Sequence, residues 1–216
     1  MTMILIKTIA CACVLLPLSA HAATILTDTW TVNTAIPDND DAGYTNTRNI
    51  ITPDITEIES VTVALNFTGG WNGDLYVYLV HGSGFSVLLN RPGRDTGTPD
   101  GSATAGMNIT LDDDATTDIH TGIPMSGGSA SGTWKPDGRN IDPLLVVASD
   151  PRTVLLSSFT GLNANGNWTL FVADQSPGNV STLQSWSLTV TGVPEPSAAR
   201  LASLAVLVLL RRRRTD

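Results

Sequence analysis

The sequence predicts an all-β domain, an antiparallel β-sandwich or jelly roll. Three observations carry that prediction. Apolar and polar residues alternate with a period of two in several short runs. Segments rich in Gly, Asn and Pro separate those runs. No stretch between residues 24 and 192 carries a helical period.

Val61, Val63, Leu65 and Phe67 form the first such run, alternating with Thr62, Ala64 and Asn66. Leu75, Val77 and Leu79 form the second, with Tyr76, Tyr78 and Val80 on the opposite face. Met107, Ile109 and Leu111 make a third, and Trp168, Leu170 and Val172 a fourth. Trp186, Leu188 and Val190 close the series. Side chains in a strand point to opposite faces in turn, so each run buries one apolar face and turns a more polar one outward. The intervening segments include Gly69-Gly70-Trp71-Asn72-Gly73, Arg91-Pro92-Gly93, Asn163-Ala164-Asn165-Gly166 and Ser176-Pro177-Gly178-Asn179. Gly and Asn tolerate the positive φ of tight turns, and Pro presets φ.

The two ends read differently. Lys7, the apolar run Ile9 to Leu18 and the small residues of Ser19-Ala20-His21-Ala22 have the order of a secretion signal, with cleavage expected after Ala22. Both cysteines, Cys11 and Cys13, lie inside that signal peptide (residues 1–22), so the mature chain is expected to hold no disulfide and no Cys-ligated zinc. At the other end, residues 193–216 place Val193-Pro194-Glu195-Pro196-Ser197 before the apolar run Leu201 to Leu210 and the cluster Arg211, Arg212, Arg213, Arg214. Four arginines after an apolar helix favour a cytoplasmic end, with the upstream domain outside. The apolar run is short for a bilayer span, so transient membrane association is expected rather than a lasting anchor.

Those three tail elements, in that order, resemble a PEP-CTERM sorting signal. The resemblance implies processing by an exosortase-type membrane enzyme. It also implies export to the periplasm, outer surface or extracellular matrix of a Gram-negative bacterium that makes exopolysaccharide.

Residues 23–192 form one domain, long enough to bury a full core. They hold 18 Asp and Glu against six Lys and Arg, a net charge of −12. Such a surface repels nucleic acid and attracts cations.

Read in order, this middle carries Ile36-Pro37-Asp38, then Gly73-Asp74-Leu75, then Gly166-Asn167-Trp168-Thr169-Leu170-Phe171-Val172-Ala173-Asp174, then Leu183-Gln184-Ser185-Trp186-Ser187-Leu188. It resembles the P domain (Homo B domain) of proprotein convertases and bacterial subtilisin-like proteases over roughly residues 36–192. The resemblance implies a jelly-roll sandwich of about eight strands. In the convertases this domain packs on the catalytic domain, stabilises it and tunes its calcium and pH response. Only a short stretch separates the expected cleavage point from Ile36, so the domain is expected to act without a protease domain of its own.

Catalytic chemistry has little support in these residues. The mature chain has two histidines, His81 and His120, and Gly82-Ser83-Gly84 reads as a turn rather than a nucleophile elbow. Calcium is better motivated, because hard cations take oxygens from acidic loops. Asp38 and Asp40 in one loop, with Asp113 and Asp114 in another, are the expected ligands of one structural site. Asp74 and Asp174 are expected to be structural. Trp168 and Trp186 are expected in the core, while Trp71 and Trp134 are candidate ligand-facing platforms. The expected role is therefore binding or structural, in the envelope or exopolysaccharide matrix. An accessory role beside a separate subtilisin-like protease and a carbohydrate-binding role are the alternatives.

Overall fold

A computed structural model describes residues 23–193. The expected signal peptide, residues 1–22, and the sequence from Pro194 onward lie outside them, including Pro194, Glu195 and Pro196 of the expected sorting motif and the cluster Arg211 to Arg214.

Nine strands form the described domain: β1 (Thr24–Ala35), β2 (Asp40–Ile50), β3 (Glu57–Trp71), β4 (Leu75–His81), β5 (Gly84–Asn90), β6 (Ala105–Leu111), β7 (Ala130–Trp134), β8 (Gly166–Asp174) and β9 (Ser181–Val193). They lie in two sheets. One has the order β1-β9-β3-β6-β7 and the other β2-β8-β4-β5. All pairings are antiparallel except β6 with β7. Setting β7 aside, the remaining eight strands distribute between the sheets as a jelly roll does, so the expected architecture holds with one strand more than the eight or so expected. β7 is an extra parallel edge strand. The one α-helical segment among the described residues, α1 (Ile119–Gly122), is a single turn between β6 and β7.

The five alternating runs all lie within strands, and their apolar residues meet in one core. Val63, Leu65, Leu75, Val77, Leu79, Ile109, Leu170, Leu188 and Val190 are fully buried within it. Trp168 and Trp186 are fully buried too, one from each sheet. Each indole N–H is satisfied where it sits: Trp168 Nε1 donates to the Ala164 carbonyl at 3.0 Å, and Trp186 Nε1 to Asn46 Oδ1 at 3.0 Å. A buried indole needs such a partner, and this fixes the ring orientation.

The turns show why two glycines are needed. Gly43 has φ +55, and a Cβ there would collide with the Val172 carbonyl oxygen, so β2 can follow β8 only with a glycine at that bulge. Gly101 has φ +69 and lies against Pro92 and Gly73, where the loop after β5 crosses the loop before β4.

Candidate functional site

The outer face of the four-stranded sheet carries an aromatic strip. Tyr76 and Tyr78 of β4 and Phe171 of β8 lie in the outward register, opposite the buried Leu75, Val77, Leu170 and Val172. Tyr78 is the cross-strand partner of Phe171, and the two rings stack at 4.6 Å and 14°. Tyr76 meets both edge-on, and Phe85 of β5 extends the strip at 5.3 Å from Tyr78.

A cleft of about 350 Å³ opens over this strip. Its floor is Tyr76, Tyr78 and Phe171, and its walls are Asp41, Asp142, Pro143, Leu144 and Gln175. Residues 142–144 form a tied-down wall. Asp142 Oδ1 accepts the Leu144 N–H at 2.9 Å. Arg94 donates to the carbonyls of Leu144 and Val146, and Asn90 Nδ2 donates to the Ile141 carbonyl at 2.9 Å. Leu144 and Leu145 nonetheless stay exposed at the rim.

Behind that wall lies a buried charged network. His120 Nδ1 lies 2.7 Å from Asp137 Oδ2, and its Nε2 lies 2.9 Å from the Arg94 carbonyl. Arg139 donates to Asp118 Oδ2 at 2.8 Å and to Asp137 Oδ1 at 3.2 Å. Both partners of the imidazole accept hydrogen bonds, so the doubly protonated ring satisfies them together. Burial alone lowers the His120 pKa, but the hydrogen bond and charge of Asp137 outweigh it and the net shift is upward. The network thus links α1, the loop bearing Arg94 and the wall of the cleft.

His81, the other histidine, lies under the same sheet at its far end. It stacks on Trp168 at 4.0 Å and 1°, with its ring nitrogens 3.0 Å and 2.7 Å from the carbonyls of Asn167 and Asn163. Both histidines are therefore held inside the fold by structural partners, and neither is presented as a free base.

Asp74 and Asp174 are buried side by side, for Asp174 is the register partner of Leu75. Burial pushes each carboxyl up to about 6, against the pull of Ser176 and Arg91. Arg91 approaches Asp74 Oδ1 only to 3.9 Å, and Asp174 Oδ2 has no hydrogen-bond partner among the described residues. Both side chains are buried, and Asp74 Oδ1, like Asp174 Oδ2, makes no hydrogen bond among the described residues.

The expected calcium ligands do not converge. Asp38 accepts the Gly178 N–H with both oxygens at 2.9 Å and 3.0 Å, at the end of β3 where Gly69 faces Ser181. Asp40 Oδ1 accepts the Ala42 N–H. Asp113 follows β6, which ends where Leu111 faces Val63 near the middle of β3, and accepts the N–H groups of Leu156 and Ser157. The two loops are thus separated by about 20 Å of strand. Asp114 is exposed beside Asp113. Among the described residues no group of three His, Cys, Asp or Glu could hold a metal ion. These four residues do not fit one shared ion.

Trp71 and Trp134 are likewise separated. Trp71 ends β3 opposite Ala105, and Trp134 ends β7 opposite Leu111, so they flank β6 at its two ends. Trp71 is exposed, whereas Trp134 packs against the core and donates Nε1 to the Ser131 carbonyl at 3.1 Å. They do not form one platform. Period-two patterning picks out core faces and leaves the outward positions as merely polar, so it does not reveal the aromatic strip. The available signal was Tyr76 and Tyr78, two residues apart in a strand whose outward face could meet Phe171.

The fold and the cleft define a β-sandwich domain with a solvent-facing aromatic groove. Residues 148–190, which span β8 and most of β9, match the family model described as Proprotein convertase P-domain. That match falls inside the span over which the sequence resembles the P domain. Two solved structures are similar: the Aeromonas sobria serine protease with its chaperone, and the serine protease of Aeromonas sobria. The first has 19% identity and a TM-score of 0.45, covering 80% of this chain and 27% of that one. The second has 19% identity and a TM-score of 0.44, covering 79% and 27%. No curated protein sequence matches the chain. No helix among the described residues is long and apolar enough to cross a membrane.

Proposed function

We propose that the chain is an exported, non-enzymatic binding protein, processed at its tail by an exosortase-type system and used in the envelope or exopolysaccharide matrix. One observation carries the binding role: a preformed cleft opens on the outer sheet face, while both histidines are engaged in structural bonds. Mass spectrometry of the protein recovered from its producing cell tests the processing. A product lacking the residues after Pro196 is expected, and an intact Arg cluster overturns it. The purified chain is expected to hydrolyse neither peptide nor glycan substrates, and turnover by it would remove the non-enzymatic reading.

The P-domain match at residues 148–190 favours a second reading, an accessory module beside a separate subtilisin-like protease. Co-purification with such a protease, lost on altering the cleft, would select it over a matrix role.

A further inference from the structure

We propose that the cleft on the outer face of the four-stranded sheet takes a basic side chain, Arg or Lys, from an extended segment of a partner polypeptide. The inference rests on the binding reading above and assigns it a partner chemistry.

Charge is the first argument. Two carboxylates, Asp41 and Asp142, stand at the cleft, and neither enters an ion pair with another described residue. The ion pairs among the described residues join Arg91, His120, Arg139 and Arg152 to Asp74, Asp118 and Asp137. Arg94, which reaches the cleft wall, already has its terminal nitrogens on the carbonyls of Leu144 and Val146. The cleft therefore offers negative charge with no cation paired to it among the described residues, one Asp142 oxygen being held by the Leu144 N–H, on a domain whose net charge is −12. Each carboxylate accepts from a guanidinium or ammonium with a charge-assisted bond.

The floor is the second argument. A flat sugar ring needs an exposed aromatic face. Here Tyr78 and Phe171 turn their faces to one another at 4.6 Å, and Tyr76 lies edge-on to both. Each of the stacked rings thus spends one face on the other, and the floor they form runs beside Pro143 and Leu144. Such a floor suits the aliphatic stem of a long basic side chain, whose head stays among the acceptors. The wall is pinned by Arg94, Asn90 and the Asp142 turn, so little ordering cost remains on binding.

The test is calorimetric titration of the full-length chain with acetyl-Arg-Arg-Arg-amide at low salt. Saturable binding is expected, weakened about tenfold or more by the double substitution Asp41→Asn/Asp142→Asn, and lost near about 0.5 M salt. Both residues are exposed, and an asparagine in place of Asp142 keeps an acceptor for the Leu144 N–H, so the variant should melt with the parent. Tyr78→Ala supplies a second variant, expected to weaken binding with the charges intact. The proposal is overturned by absent binding, by equal binding to the charge-neutralised variant, or by equal affinity for a neutral oligosaccharide. Self-association of the chain that the double substitution abolishes would also overturn it, by making a second copy the occupant. Cleavage of the peptide during titration would instead sink the non-enzymatic reading, which keeps the two failures distinct.

Discussion

The two sheets bury equivalent inner faces but present unlike outer ones. Across the five-stranded sheet the outward rows read Thr27, Thr189, Thr62 and then Thr29, Ser187, Ala64, Thr110. Short hydroxyl side chains dominate the pleat there, with Ile25 exposed on the edge strand, and Thr27 and Thr189 bond to each other at 3.0 Å. Across the four-stranded sheet the outward row reads Thr45, Phe171, Tyr78, with Tyr76 and Phe85 beside it. The first face offers little that a ligand could grip. The second is aromatic, walled by an anchored loop and flanked by carboxylates. The inner faces make a stable sandwich, so the difference outside is free to serve recognition.

The largest test of this comparison is to break both inner faces alike. Trp168→Ala and Trp186→Ala should each cost about 3–5 kcal/mol, measured by urea unfolding, because each removes a fully buried indole. On the outer faces the costs should diverge. Tyr78→Ala should lose about 1–2 kcal/mol with its stacked partner, while Thr189→Ala stays within about 0.5 kcal/mol. Equal costs outside would erase the distinction between the faces.

The next effect is a pH dependence at the end of the four-stranded sheet. Asp74 and Asp174 titrate at about 6 in the folded chain against 3.8 in the reference state. The native state therefore holds their protons more tightly. Their stabilising contribution is complete below pH 3.8 and is lost as pH rises through about 6. Asp174→Asn keeps an acceptor for the Ser176 N–H and removes the charge. It should melt higher than the parent at about pH 7.5, with the gap closing near about pH 4. His120, also raised, adds stability below its unfolded pKa that is lost as pH rises through the folded one. His120→Gln should flatten that later fall.

Calcium should have the smallest effect. Asp38, Asp40 and Asp113 already accept backbone N–H groups at separate places. Melting temperatures in calcium and in EDTA should agree within about 2 °C. A rise of several degrees would restore a metal to one of these loops.

Much of the fold is legible in the sequence. Five alternating runs place five strands and their core faces, down to Trp168 and Trp186. The strands β1, β2, β5 and β7 are not legible in this way: β1 and β2 are mostly Thr, Asn, Asp and Gly and half-exposed, β5 is buried on both faces, and β7 is only five residues long. Acidic clustering in Asp38–Asp41 and Asp112–Asp114 suggests one ion, but clustering along the chain does not bring two loops to one end of a sandwich.

The sequence by itself determined the all-β class, the jelly-roll resemblance, the acidity and the buried faces, since these follow from local periodicity and composition. Only the tertiary structure decided which outward residues become neighbours. Tyr78 meets Phe171 from a distant part of the chain through strand register, and Asp142 reaches the cleft because Arg94 and Asn90 hold its loop there. Pairing of distant strands and anchoring of loops depend on long-range contacts, which no window of sequence contains.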